Sequence, residues 1–258
     1  MSEYYNPQRS RNLYRPGEER PFKLSRSKID LFMQCPRCFY IDRRLGTGQP
    51  PGFPFAINSA VDGLLKKEFD RHRAAGTQHP LQAKAGIDAM PARHAQIDEW
   101  RENFKGVQAL HEPTNLLITG AIDDLWIDPA NRYIVVDYKA TAKTEPVTHV
   151  DKPWQDGYKR QMEIYQWLLR RNGLAVNDTA YFVYCTGRAD AEAFDGKVEF
   201  DIHLIPYGGD DAWVEPAIFD IHTCLNRRDI PVAAAGCDYC AYADAVAGHL
   251  MTSQRSLL

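Results

Sequence analysis

Three residues near the middle of the chain carry the most suggestive chemistry. Asp137 and Lys139 sit two apart in Asp137-Tyr138-Lys139, so on a β-strand their side chains point the same way. Asp123 closes the segment Gly120-x-x-Asp123. A hairpin joining the two stretches would set its carboxylate beside that of Asp137. Carboxylate oxygens suit hard cations such as Mg²⁺ and Mn²⁺, and a neighbouring ammonium can orient a water or steady charge growing on a phosphoryl group. Metal, water and ammonium together are the parts that phosphodiester hydrolysis requires. A plainer account is a surface ion pair at a strand end. The run Ile134-Val135-Val136 weighs against it, because charges that close so apolar a strand need a partner or an ion.

Cys35-Pro36-Arg37-Cys38 and Cys237-Asp238-Tyr239-Cys240 form a second constellation. Each C-x-x-C lets two sulfurs reach one centre, and four thiolates suit tetrahedral Zn²⁺ or an iron–sulfur cluster. The pairs are 198 residues apart, too far for a self-contained zinc ribbon. Joined, they would tie the N-terminal helix to the C-terminus. Cys185, inside the apolar run Tyr181-Phe182-Val183-Tyr184-Cys185, reads as a buried thiol.

These groups need elements to hold them. Residues 1–21 lack periodicity and carry Pro7, Pro16, Gly17 and Pro21, which reads as a loose arm. Ser25 or Ser27 caps a helix expected to run through Ile29, Leu31 and Phe32 to Leu45. A turn-rich loop follows, then a helix over residues 56–74 with Ile57, Val61, Leu64, Leu65 and Phe69 on one side. Residues 76–94 read as loop and short helix. Residues 116–127 read as one strand, 128–131 as a turn and 133–139 as the next strand. An amphipathic helix is expected over 155–171, ended by Asn172-Gly173. Further strands are expected over 180–185 and 197–205, and a helix over 211–227. Lys152, Trp154, Lys159 and Arg160 lie just before or on the 155–171 helix, and Lys143 follows the Lys139 strand. A Trp among cations can stack a base while the cations hold phosphate, or the helix can simply carry a charged exposed face.

The whole chain suits this frame. Its 258 residues carry 44% hydrophobic, 11% aromatic and 25% charged residues, an ordinary globular balance. The net charge of −3 does not announce a nucleic-acid binder. Residues 1–44, however, hold ten Lys and Arg against five acids, and such a segment can meet phosphate locally. No stretch approaches the 18 apolar residues that a transmembrane helix needs. Arg9, Arg11, Arg15 and Arg20, with no apolar run, argue against a secretory signal. The cytoplasm, with reduced or metal-bound cysteines, is the expected setting.

In order and spacing, Gly120-x-x-Asp123, Asp137-x-Lys139 and Gln161-x-x-x-Tyr165 resemble the PD-(D/E)XK nuclease superfamily. The resemblance is to its RecB-like branch, which includes CRISPR-adaptation nucleases and the AddB nuclease domain. It implies an α/β, restriction-endonuclease-like core: a small mixed β-sheet flanked by helices, with the cysteine-ligated centre joining the terminal segments. Asp123 and Asp137 would bind Mg²⁺ or Mn²⁺, with the Tyr138 backbone carbonyl as a further ligand and Lys139 catalytic. Gln161 and Tyr165 would face the site or the DNA, and their spacing of four puts them on one helical face. Tyr165 taken alone reads as core, with Ile164 and Leu168. Where such nucleases usually carry a metal-binding His on an early helix, this chain has Asp62. That makes a site of three carboxylates, a degraded site, or a plain surface acid.

Cys35-Pro36-Arg37-x-Phe39-Tyr40 is similar to the segment bearing the first cluster cysteine of iron–sulfur members. The usual split is one cysteine before the core and three after, and here it is two and two. Cys38 would make up the count, with Cys224 the alternative. A [4Fe–4S] cluster is the expectation and Zn²⁺ the second choice. The resemblance implies a metal-dependent DNA nuclease, expected to be an exonuclease, in DNA repair, recombination or CRISPR-like processing. Its substrate would be single-stranded DNA or duplex ends, with a helicase or CRISPR-adaptation protein as partner. An inactive nucleic-acid-binding or adaptor member of the fold is the alternative. The expected domains are a loose basic arm (1–24), the nuclease domain with its cysteine centre (25–245) and a tail (246–258).

Overall fold

The structure is a computed structural model, and it describes residues 5–50, 52 and 56–255. In chain order these form β1 (Phe22–Ser25), α1 (Arg26–Gln34), α2 (Pro36–Tyr40), α3 (Ala56–Ala75), α4 (Pro80–Lys84), β2 (Met90–Pro91), α5 (Ile97–Trp100), β3 (Val107–His111) and β4 (Leu116–Gly120). Then come β5 (Asp124–Ile127), β6 (Tyr133–Lys143), α6 (Asp156–Arg171), β7 (Thr179–Arg188), β8 (Phe200–Gly208), α7 (Val214–Leu225) and α8 (Asp238–Arg255). The strands make a sheet ordered β1-β4-β3 and a larger sheet ordered β2-β5-β6-β7-β8. The chain divides into two compact units, one of residues 54–109 and 118–214, the other of 1–53, 110–117 and 215–258.

The first of these units is built on the larger sheet, which is mixed: β5 and β6 are antiparallel, β6 and β7 parallel, β7 and β8 antiparallel. The period-two alternation of β6 sends its residues to opposite faces. Ile134, Val136 and Tyr138 pack with Leu65 and Phe69 of α3 and with Trp126, Val183 and Cys185. The intervening Asp137 and Lys139 point to the opposite face, where Gln161 of α6 meets them. Helix α6 is buried along nine consecutive residues, Gln161 to Leu169. Its polar members are partnered there: Glu163 accepts from Trp213 Nε1 at 2.6 Å and from the Tyr207 hydroxyl, and Gln166 Nε2 donates to the carbonyls of Asn177 and Asp178, although Gln166 Oε1 is buried without a partner. Asn172 and Gly173 (φ +79°) end the helix as expected.

The expected single strand over 116–127 is two strands in different sheets, broken at residues 121–123. The corner is tight. A Cβ on Gly106 would meet the Gly120 carbonyl oxygen at 2.5 Å, and one on Gly120 would meet the Tyr165 ring at 2.7 Å. The hairpin is correspondingly shorter than expected, and β5 pairs only with residues 133–136 of β6.

In the other unit the expected continuous helix to Leu45 is also broken. Pro36 lacks an N–H and pushes the preceding residue out of helical geometry. Cys35 is accordingly extended (φ −159°, ψ 106°) between α1 and α2. A π-helical turn over Ile41–Leu45 ends on Gly46 at φ +87°. Residues 5–21 form no helix or strand, but they are held: Arg9 N donates to the Gly46 carbonyl at 2.9 Å and Tyr14 N to the Arg43 carbonyl at 2.8 Å. Arg9, Lys28 and Arg43 all pair with the buried Asp42. Helix α8, which the sequence reading did not foresee, runs through most of the expected tail.

Candidate active site and metal centre

The site grows from an unpaired strand edge. Beyond Val136, β6 continues to Lys143 with β7 on one side but without β5 on the other. Side chains take over the ladder's work there. Tyr138 N donates to Asp123 Oδ2 at 2.9 Å, and the Ala140 carbonyl accepts from Asn58 Nδ2 of α3 at 3.0 Å. A residue's N–H and C=O lie on the same side of a strand, so the Tyr138 carbonyl faces this open edge too. Asp123, just outside β5, is thus brought to Asp137 although it is not part of the hairpin.

Asp137 is fully buried. Its Oδ1 accepts from Gln161 Nε2 at 2.6 Å, and Lys139 pairs with its Oδ2. Burial, with the negative charge of Asp123 in support, pushes its carboxyl up to about 7 against the pull of Lys139. Burial works against the Lys139 ammonium, but the Asp137 and Asp123 carboxylates outweigh it and raise its pKa. Gln161 also donates to the Tyr165 hydroxyl at 3.1 Å. Tyr165 is buried, so it reaches the carboxylates through Gln161.

Asp62 lies on α3 and joins the group through a cation that the sequence reading overlooked. Lys66 Nζ is 2.9 Å from Asp62 Oδ2 and 3.6 Å from Asp123 Oδ1. The spacing of four from Asp62 was the available signal. Burial and the charge of Asp123 raise the Asp62 pKa, opposed by Lys66. Asp62 Oδ1 is buried without a hydrogen-bond partner. Asp62, Asp123 and Asp137 offer carboxylate oxygens, the donor type that hard divalent cations take, one of them uncompensated, but these oxygens do not all lie within 4.8 Å of one another as the four cysteine sulfurs of the other unit do. The neighbouring acid Asp124 has a different fate. It is fully buried, accepts from Arg101 at 2.8 Å, from the Tyr138 hydroxyl at 2.6 Å and from Leu125 N at 2.7 Å, and pairs with Arg73. Arg101 also donates to the Asp123 carbonyl at 3.0 Å. This network anchors the corner that carries Asp123, and nothing in the spacing of its members along the chain announces it.

Cys35, Cys38, Cys237 and Cys240 come together in the other unit. Among the described residues they are the only group of three or more His, Cys, Asp or Glu whose ligand atoms all lie within 4.8 Å of one another. Their sulfurs approach to 3.5 Å (Cys38–Cys240), 3.6 Å (Cys38–Cys237) and 3.8 Å (Cys35–Cys240). The extended Cys35 before Pro36 and the start of α2 aim the first pair, and the first turn of α8 aims the second. Burial opposes the thiolate at Cys35, yet hydrogen bonds from the Ala234 and Cys38 amides bring it down to about 7. Burial pushes Cys38 up to about 11. Cys185 is buried in the core of the larger sheet, and Cys224 is buried on α7; neither joins the group.

Of the basic residues flagged beside α6, Lys152 and Lys159 lie beside Asp151 and Asp156, at 3.7 Å and 3.1 Å. Arg160 lies on α6 immediately before the buried run that begins at Gln161. Trp154 is 59% exposed. Tyr158, which the sequence reading did not single out, lies under Lys139, whose Nζ is 4.5 Å from the ring centre.

The sequence model of the PD-(D/E)XK nuclease superfamily matches residues 56–245. No curated protein matches the chain. Among solved structures it is similar to one described as the crystal structure of SSO0001, with 13% identity over 84% of this chain and 82% of that chain and a TM-score of 0.35.

Proposed function

This chain belongs to the PD-(D/E)XK nuclease superfamily, and from that premise we propose that it is a metal-dependent deoxyribonuclease of the RecB-like branch, acting as an exonuclease on single strands or duplex ends. The observation that carries the reading is the buried Asp137 held between Lys139 and Gln161, with Asp123 at the adjoining open strand edge. Asp62, Asp123, Asp137 and the Tyr138 carbonyl would hold Mg²⁺ or Mn²⁺. Such an ion polarises a phosphoryl oxygen and acidifies a water. The chain's own residues do the rest. Lys139 places a positive charge beside the reacting phosphate and can orient the attacking water. Gln161 fixes the Asp137 carboxylate, and Tyr165 fixes Gln161. Lys66 neutralises Asp62 and Asp123 until a cation takes over that task.

The cysteine centre is a structural clamp in this reading. Three of the sulfur pairs lie 3.5–3.8 Å apart and all four sulfurs lie within 4.8 Å of one another. Four thiolates so grouped would suit Zn²⁺ as well as the [4Fe–4S] cluster that the resemblance implies, and metal analysis of anaerobically purified protein separates the two.

Cleavage of end-labelled single- and double-stranded DNA in Mn²⁺, Mg²⁺ or EDTA tests the activity. Lys139→Ala should abolish metal-dependent cleavage while leaving the metal content at the cysteines unchanged; cleavage retained in that variant overturns the assignment. One observation favours a second reading. The Lys66 ammonium already bridges Asp62 and Asp123, as it would in an inactive, DNA-binding member of the fold. Tight DNA binding without cleavage in any divalent ion selects that reading. The helicase or CRISPR-adaptation partner implied by the resemblance is a matter for co-purification.

A further inference from the structure

Residues 137, 139, 141 and 143 share one face of β6, and this face continues past the carboxylates into a ladder of aromatic rings and cations. Lys139 Nζ lies 4.5 Å from the centre of the Tyr158 ring. Tyr158 meets Trp154 edge to face, with centroids 5.9 Å apart and planes at 83°. Lys143 Nζ then lies 5.8 Å from the Trp154 ring. Tyr158 lines the same small cavity, about 80 Å³, as Asp62, Tyr138 and Lys139, whereas Trp154 is 59% exposed and Lys143 is exposed. The ladder thus leads from the reacting groups to an open indole, with Lys139 and Lys143 about 13 Å apart along the strand.

An indole that is largely in water, held on edge by a tyrosine and flanked by an ammonium, has the parts of a single-strand platform. Its π-face takes an unpaired base and the cation takes the phosphate beside it. A base inside a duplex presents no free face. We propose that Trp154, backed by Tyr158 and flanked by Lys143, stacks one unpaired base of the substrate strand and leads its backbone to Lys139. The inference deepens the proposed nuclease function and rests on it for the identity of the strand. It adds a selection of unpaired over paired DNA made by stacking, away from the carboxylates.

The test separates binding from cleavage. Binding of a labelled oligothymidylate, and of an abasic oligonucleotide of equal length, is measured by fluorescence anisotropy with no divalent ion added. Wild-type protein should bind the natural strand about tenfold or more tightly than the abasic one. Trp154→Ala should lose that discrimination and Trp154→Phe should recover most of it. Lys143→Ala should weaken both strands and reduce the salt slope by about 0.7, the loss of one single-strand phosphate contact. If Trp154→Ala still discriminates as the wild type does, or if the wild type binds no single strand, the platform is overturned. A Trp154 that only braced Tyr158 would leave the natural-to-abasic ratio unchanged. Cleavage by the wild type in Mn²⁺ is scored separately. Cleavage with an unchanged ratio removes the platform and keeps the nuclease, and a lost ratio without cleavage does the reverse.

Discussion

At the scale of single residues, the carboxylate of Asp137 concentrates the physics of the site. A buried charge is costly unless it is paired, and Asp137 has one cation, Lys139, and one amide, Gln161, to offset its burial. The balance leaves its carboxyl at about 7, against about 4 in an unfolded chain. The folded state therefore holds this proton more tightly than the unfolded one does. Its contribution to stability is fully present below about pH 4 and is lost as the pH rises through about 7. The melting temperature of the metal-free protein should fall across that window, and Asp137→Asn should flatten the fall. A divalent ion competes with the proton for the same oxygens, so added Mn²⁺ should restore stability chiefly at the upper end. An Asp137→Asn protein with the same pH profile as wild type would show that the carboxyl is not shifted.

At the scale of elements, the site depends on one strand outrunning its neighbour. β6 extends seven residues past its pairing with β5, and Asp123 and Asn58 occupy the edge that this exposes. The corner between β4 and β5 is kept in place from both sides. The Asp124 network with Arg73, Arg101 and Tyr138 anchors its far end, and Gly120 sits against the Tyr165 ring at its near end. Gly120→Ala would force that ring away. Overpacking of this kind costs about 1–3 kcal/mol, so chemical denaturation should report a loss of that order. Because Tyr165 holds Gln161, the variant should also bind Mn²⁺ more weakly. Unchanged stability would mean that α6 can shift at no cost.

At the scale of the whole molecule, the carboxylates belong to one compact unit and the four cysteines to the other. The cysteine unit is assembled from both ends of the chain. Apart from the sulfurs, Arg37 of α2 pairs bidentately with Asp244 of α8 at 2.8 Å, and Asp42 gathers three cations, including Arg9 from the N-terminal segment. Much of α8 is exposed, so in the proposed clamp the four cysteines matter the more for holding it. Cys237→Ser should lower metal content and melting temperature and raise hydrogen exchange along α8. Chelation should do the same to the wild type. A variant with full metal content and unchanged exchange would remove the clamp.

The chemistry was legible in the chain wherever one element carried it. Asp137 and Lys139 share a face because strands alternate, Gln161 and Tyr165 because helices repeat near four, and each C-x-x-C brings two sulfurs together within one turn. Side-chain direction follows from local backbone geometry, so these pairings needed no tertiary knowledge. Packing between distant segments decided the rest. It split residues 116–127 into strands of two sheets, placed Lys66 between Asp62 and Asp123, and buried Asp124 among arginines while its neighbour Asp123 faced the site. It also brought two cysteine pairs 198 residues apart into one group. Burial, partners and the protonation of Asp137 are properties of what packs against a residue, and that is set by chain far from it in sequence.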